Sequence, residues 1–324
     1  MFGKRTENIL VVKPDTLSGF IAAEPAFEQI RAAHPDAKIS LLTTKALQRV
    51  ARAAPYFDQV ASMPDFKDTA ARQAFVKQIK SAKFSRVYDL AVNNGSKKLQ
   101  SAIGPFGPKW YSADPPAKPP KGEIKAMRPD FGRIMKAAGG DVPERRPDFS
   151  WTLAARKDSA NMKPAWFGIS GAFGLLLPGV EDGRRWTATG YGNLAGIMAR
   201  SGIMPVLCGP KDLHGFGDDV AHIAPEVVDL TGKTDHLQLS ALAREALFFV
   251  SDHADEAHLA TAVGCSGVLI KKAGEEALVP EGRNVIVLTT RLSFNEAEPT
   301  HVWQALGNLG LLPREDALGR AATR

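Results

Sequence analysis

The sequence predicts an α/β protein made of two doubly wound parallel domains, and three observations carry that expectation. Residues 9–44 read ILVVKPDTLSGFIAAEPAFEQIRAAHPDAKISLLTT: a short apolar run, a polar loop containing glycine, an apolar helical stripe and a second apolar run. The same alternation returns between residues 174 and 288. At 324 residues and 44% hydrophobic content, the chain can bury two domain-sized cores.

In the opening unit, 9–12 and 39–42 are expected to be strands. Phe20, Ile21, Phe27 and Ile30 recur at helical spacing between them. A strand over 56–61, a polar amphipathic helix over 68–82 and a strand over 86–92 continue the pattern. Pro and Gly crowd 104–122, which predicts an irregular loop, followed by a helix over 129–138. Residues 141–165, with Pro143, Pro147 and Pro164, read as the crossover between a domain of 1–150 and a domain of 151–324, with a short strand at 148–151. In the second domain, strands are expected at 174–177, 204–208, 227–229, 247–251, 266–270 and 284–288. Helices are expected at 188–201, 216–223, 237–245, 256–263 and 299–309, and the chain beyond Pro313 is expected to fray.

Composition narrows the function. The apolar run ending at Val12 is too short for a signal peptide, and the uncharged stretch 166–180 is too short and too rich in Gly to span a bilayer, so a cytoplasmic protein is expected. Cys208 and Cys265 lack CxxC spacing and read as reduced core thiols. The net charge of +6 divides unevenly: residues 1–150 carry 25 Lys+Arg against 15 Asp+Glu, and the remainder carries 16 against 20. Lys97, Lys98, Lys109, Lys118, Lys121 and Lys125 lie near Phe106, Trp110 and Tyr111. That combination suits an anionic lipid surface or a phosphorylated glycolipid, while a solvated basic face with no partner explains the charge equally well. No basic helical stripe or nucleic-acid motif is present, so nucleic acid is not an expected partner.

In the second domain, Leu177-Pro178-Gly179 and then Gly183-Arg184-Arg185-Trp186 place a strand end, a flexible loop and two guanidinium groups ahead of a helix capped by Thr187. Parallel α/β folds hold phosphate with this arrangement. Asp252, His253, Asp255, Glu256 and His258 cluster within seven positions, but their spacing does not match a metal motif, and no metal is expected. The glycines of 168–174 precede a strand instead of following one, which argues against a dinucleotide loop.

Lys13, Pro14, Leu17, Phe20, Ile21, Pro25, Ala26 and Phe27 together resemble the N-terminus of the bacterial heptosyltransferases, glycosyltransferase family 9, which usually reads K-P-S-S-L-G-D-F-I-x-x-x-P-A-F. Pro178-Gly179 with Arg184-Arg185-Trp186 resembles that family's P-G-A-S and K-R-W-P. Residues 229–234 resemble its D-L-T-G-R-T, and 277–282 a late segment of it. The resemblance implies a GT-B fold, two Rossmann-like domains with an interdomain cleft and a C-terminal helix that crosses back to the first. The first domain would take the acceptor and the second the nucleotide-sugar.

The implied reaction transfers a sugar, with inversion and without metal or cofactor, from an ADP-heptose-like donor to an anionic lipopolysaccharide-type glycolipid at the cytoplasmic face of the inner membrane. Lys13, Pro178, Gly179, Arg184, Arg185, Trp186, Thr234, Asp255 and His258 would line the donor site. Lys97, Lys98, Lys109 and Trp110 would lie on the acceptor or membrane side. Two departures stand out. The family's catalytic Asp aligns on Gly19, leaving Asp15 as the nearest replacement base and Glu24 as a weaker one. The family's G-N-D-T-G-P-M-H-L-A-A reads Ser251-Asp252-His253-Ala254-Asp255-Glu256-Ala257-His258-Leu259-Ala260-Thr261 here, which puts two carboxylates where a diphosphate would sit. Three functions therefore stay open: an active transferase with a relocated base, an inactive paralogue that binds or scaffolds, and a nucleotide-sugar epimerase.

Overall fold

The first apolar run becomes β1 (Asn8–Val12), the centre of a five-stranded parallel sheet ordered β3-β2-β1-β4-β5. The computed structural model describes residues 7–91, 93–113, 131, 132, 134, 136, 145–155, 159–252, 254–273, 280, 282 and 284–312. These fall into two compact units, which divide between Trp151 and Thr152. The other strands of the first sheet are β2 (Lys38–Thr43), β3 (Gln59–Ser62), β4 (Arg86–Asp89) and β5 (Lys109–Ser112). Val12 pairs with Leu42 on one side and Asp89 on the other, so the strand order reverses at the carboxyl end of β1.

Alternation along the strands sends Leu10, Val12, Leu42 and Val87 to one face. There they meet Ile79 of α4 (Thr69–Ser81) and Leu99 and Ile103 of α5 (Asn94–Ile103). Ile9, Val11, Ile39 and Leu41 are buried on the opposite face. The helical stripe after β1 forms two helices, α1 (Leu17–Ala22) and α2 (Glu24–Ala33), because Pro25 has no N–H to continue the ladder and fits the first turn of a new helix.

Several sequence expectations shift. Helix α3 (Gln48–Ala53) and α5 were not anticipated, and β5 lies inside the span read as an irregular loop. Residues 148–151 form no strand, and Trp151 instead opens the short helix α6 (Trp151–Ala154). Tyr56 stands in a turn ahead of β3. The helix expected over 129–138 and the chain beyond Pro313 lie outside the described residues.

The second unit repeats the winding with one more strand: β6 (Phe173–Leu177), β7 (Met204–Leu207), β8 (Val228–Asp229), β9 (Phe249–Ser251), β10 (Gly267–Lys272) and β11 (Val285–Thr290), ordered β11-β10-β9-β6-β7-β8 and all parallel. Its helices are α7 (Ala188–Arg200), α8 (His214–Ile223), α9 (His236–Glu245), α10 (Asp255–Ala262) and α11 (Pro299–Asn308). Val302, Ala305 and Leu306 of α11 join Leu194 and Met198 of α7 in this unit's core. Cys208 and Cys265 are both buried and reduced, and burial pushes both thiols up in pKa.

Glu24 is a structural residue. Its carboxylate is fully buried and accepts from the Tyr56 hydroxyl at 2.5 Å, from Arg145 Nη1 and Nη2 at 2.7 and 2.9 Å, and from the Asp148 amide at 3.0 Å. It ties the 145–149 segment to α2 and has no capacity left to act as a base. Removing one partner strands the others, so Glu24→Ala is expected to destabilise the protein by about 3 kcal/mol in urea denaturation.

Candidate active site

In each unit, the carboxyl ends of the two strands flanking the reversal carry the residues the sequence singled out. In the first unit, β1 runs into Lys13-Pro14-Asp15. Lys13 is only 1% exposed. Its ammonium donates to the Leu90 carbonyl at 3.0 Å, pairs with Asp15 at 2.7 Å and lies 5.8 Å from the Phe131 ring centroid. It therefore binds the end of β1 to the chain leaving β4 and is not presented to a donor. Asn93 adds a second tie, donating to the Pro14 carbonyl at 2.9 Å.

Asp15 is held at both oxygens, with Oδ2 on Lys13 and Oδ1 accepting from the Thr16 amide at 2.8 Å, while its side chain remains 31% exposed. Thr16 then caps α1 through its hydroxyl, which accepts from the Gly19 amide. This turn folds Asp15 over the helix start. A Cβ placed on Gly19 would meet Asp15 Cγ at 2.5 Å, Oδ2 at 2.6 Å and Oδ1 at 2.7 Å. The carboxyl group thus fills the space where any side chain at position 19 would begin.

In the second unit the organising group is Asp252, which sequence reasoning treated only as part of a histidine–carboxylate cluster. It follows β9 beside the end of β6 and is 3% exposed. It accepts from the Gly179 amide at 2.6 Å, the Trp186 amide at 2.9 Å and the Tyr191 hydroxyl at 2.9 Å. Burial and then the Asp252 charge hold the Tyr191 hydroxyl well above the usual phenol range. Asp252 therefore fixes both ends of the 178–186 loop, and two amides of the expected phosphate loop already carry an anion. Ser251 adds a bond from its hydroxyl to the Leu177 carbonyl at 2.7 Å.

The expected donor residues separate by environment. Pro178 and Gly179 are buried, and Trp186 is a core residue 5.1 Å from the Tyr191 ring and not a surface for a ligand. Arg184 pairs with Glu181 at 2.7 Å. Arg185 pairs with Asp182, donates to the Gly179 carbonyl at 3.1 Å and stacks 4.1 Å from the Phe216 centroid. Thr234 is half-buried just ahead of the Asp235 cap of α9.

Asp255 and Glu256 occupy the first turn of α10, and His258 lies half-buried one turn further on, while His253 is outside the described residues. Burial, with the Asp255 charge adding to it, pushes the Glu256 carboxyl up to about 7. Near neutral pH only part of the expected like-charge repulsion at this helix start is therefore present. On the acceptor side, Lys97, Lys98 and Lys109 are exposed, whereas Trp110 packs on the core formed with Leu99 and Ile103. Lys118, Lys121 and Lys125 are outside the described residues. Among the described residues, no helix is long and apolar enough to cross a membrane, and no group of three or more His, Cys, Asp or Glu could hold a metal ion.

Two stability effects follow. Asp252→Ala orphans two buried amides and a hydroxyl and should cost about 3 kcal/mol in urea, with Asp252→Asn costing less. Glu256 has an ordinary value of 4.5 and a folded value of about 7. Between these the unfolded chain ionises while the folded one keeps its proton, so this group's contribution to stability falls as pH rises. Relative to the wild type, Glu256→Gln should therefore gain up to about 2–3 kcal/mol between pH 5 and pH 8, read from denaturation curves at the two values.

No profile of a known protein family matches the chain. A Haemophilus influenzae protein described as "Putative glycosyltransferase" is 29% identical over 93 residues, which is 29% of this chain and 27% of that protein. The shared segment thus spans about a quarter of that relative's length. The E. coli ADP-heptose lipopolysaccharide heptosyltransferase II structure superposes with a TM-score of 0.74 at 18% identity, covering 94% of this chain and 98% of that one. E. coli heptosyltransferase WaaC with ADP gives 0.73 at 15% identity, covering 93% and 99%. A Methanocaldococcus jannaschii UDP-GlcNAc 2-epimerase gives 0.54 at 11%, covering 95% and 93%. With its two reversing parallel sheets, this chain has the GT-B fold of the heptosyltransferases.

Proposed function

We propose that this protein is a glycosyltransferase of the heptosyltransferase kind. It takes a sugar from a nucleotide-diphosphate donor such as ADP-heptose and transfers it, with inversion and without metal, to a hydroxyl of a lipopolysaccharide-type or related glycolipid at the cytoplasmic membrane face. The observation that carries this reading is the Asp15 carboxyl group lying 2.5–2.7 Å from the Cβ position of Gly19. In this reading the carboxylate absent from position 19 comes from Asp15, four residues earlier, and glycine leaves room for it.

The acceptor hydroxyl oxygen would attack the anomeric carbon while its proton passes to Asp15, and the bond from that carbon to the diphosphate oxygen breaks with its electron pair leaving on the diphosphate. The first unit supplies the base. The second would supply Arg184 and Arg185 to receive the growing negative charge. Arg184 and Arg185 would have to exchange Glu181 and Asp182 for phosphate oxygens. Lys13 acts on Asp15 and not on the donor, because its buried ammonium, 2.7 Å from that carboxyl, holds it in place.

The inactive-paralogue reading draws on a different observation: both loop cations are already paired and two loop amides already bind Asp252. Calorimetric titration with ADP, UDP, GDP and their sugar conjugates separates the two, since a scaffold with a closed seat binds none of them. For the transferase, Asp15→Asn should lower turnover by about 10²- to 10⁴-fold with nucleotide affinity unchanged. The double substitution Asp15→Ala with Gly19→Asp should recover a large part of that loss, because it returns a carboxylate to the same space. Full turnover by Asp15→Asn would remove Asp15 as the base, and conversion of the donor without acceptor would identify an epimerase.

A further inference from the structure

The cations of the second-unit loop are neutralised by their neighbours, but a group in the first unit is not. Arg72 on the first turns of α4 and Lys97 and Lys98 on α5 line a groove of about 620 Å³ together with Phe66, Asn94 and Ser101. None of the three cationic side chains takes part in an ion pair or hydrogen bond among the described residues. Among the described residues, no carboxylate lines the groove. The acids nearest in sequence, Asp65 and Asp68, accept from the Lys67 and Ala71 amides at 2.9 and 3.0 Å. Asn94 opens α5, a helix of ten residues, so the positive end of its backbone dipole adds to the field.

The same helix ends in an unusual exposure. Gly104 terminates α5 at φ +83°, and Phe106 two residues later is 102% exposed. Helix α5 is amphipathic. Ser96, Leu99 and Ile103 face the sheet, while Asn94, Lys97, Lys98, Ser101 and Ala102 face water. Unpaired cations on an outward helix face with a fully exposed aromatic at its end match a surface that carries negative charge over an apolar layer.

We propose that the outward face of α4 and α5 docks on an anionic lipid bilayer. The groove of Arg72, Lys97 and Lys98 would seat phosphate headgroups, and Phe106 would enter the boundary with the acyl chains. This rests on the proposed placement of the reaction at a membrane face and names the surface that would reach it, while none of these residues belongs to the proposed catalytic apparatus. A bilayer is favoured over a soluble phosphate ester because a soluble ligand gives Phe106 no apolar layer to enter.

The test is co-sedimentation of the full chain with phosphatidylcholine vesicles and with vesicles of phosphatidylcholine mixed with phosphatidylglycerol, at low and high salt. Binding is expected only to the anionic vesicles and is expected to fall with salt. Replacing Arg72, Lys97 and Lys98 together by Ala should weaken it roughly hundredfold, and Phe106→Ser should weaken it about tenfold. A charge-matched control removes Lys38, Lys45 and Arg52, exposed cations on β2, in the loop after it and on α3, and should leave binding within about threefold of wild type. Far-ultraviolet circular dichroism and thermal melting establish that each variant is folded. Equal capture by neutral vesicles, an unaffected groove variant, or an equal loss in the control would overturn the proposal. So would saturable binding of inorganic phosphate with no vesicle binding, which would make the groove a seat for a soluble phosphate. Turnover is not measured, so failure here leaves the transferase reading standing.

Discussion

The ion pair between Lys13 and Asp15 is the constraint on which the geometry at the carboxyl end of β1 rests. An ammonium buried at the end of a central parallel strand is strongly unfavourable without an anion, and Asp15 supplies one at 2.7 Å. That pairing fixes the direction of the Asp15 side chain. The Thr16 cap then turns α1 beneath it, so the carboxyl lies against Gly19 and a larger residue there would have to displace it. The absence of a carboxylate at position 19 and its presence at position 15 are therefore one structural fact.

Asp252 has the corresponding place in the second unit, at the end of the strand beside β6. Its carboxylate accepts from two loop amides and a tyrosine hydroxyl, and these bonds hold the loop to the end of β9. The consequence is a loop already ordered before any ligand arrives. Its arginines are engaged by carboxylates three residues away, Arg184 on the surface and Arg185 largely covered.

The excess positive charge of residues 1–150 also acquires a location. Some of it is consumed internally, as Lys13 with Asp15, Arg31 with Asp58, Arg86 with Glu7 and Arg145 with Glu24 and Glu28. Charge that remains unpaired at Arg72, Lys97 and Lys98 is gathered beside one groove. Net charge is a sum, whereas a binding surface depends on which charges the fold leaves unmatched.

The apolar runs at 9–12, 39–42 and 174–177 and the helical stripes between elements were enough to read two parallel α/β units, because strand and helix periods are local properties of the chain. The N-terminal and loop motifs likewise pointed to the GT-B fold. Weakly patterned pieces were misread. Helix α5 begins with Asn94-Gly95-Ser96, and β5 sits among Pro and Gly, so each owes its form to packing on the sheet more than to its own composition. Motif spacing also placed Lys13 and Trp186 on a ligand and left Asp252 unassigned. Spacing along a chain says which residues come near a strand end, but which of them turn inward is settled by partners 60 to 80 residues away: Leu90 for Lys13, and Asp252 for Gly179 and Trp186. Burial of a charge is a pairwise, long-range condition, and it exists only once each sheet has formed.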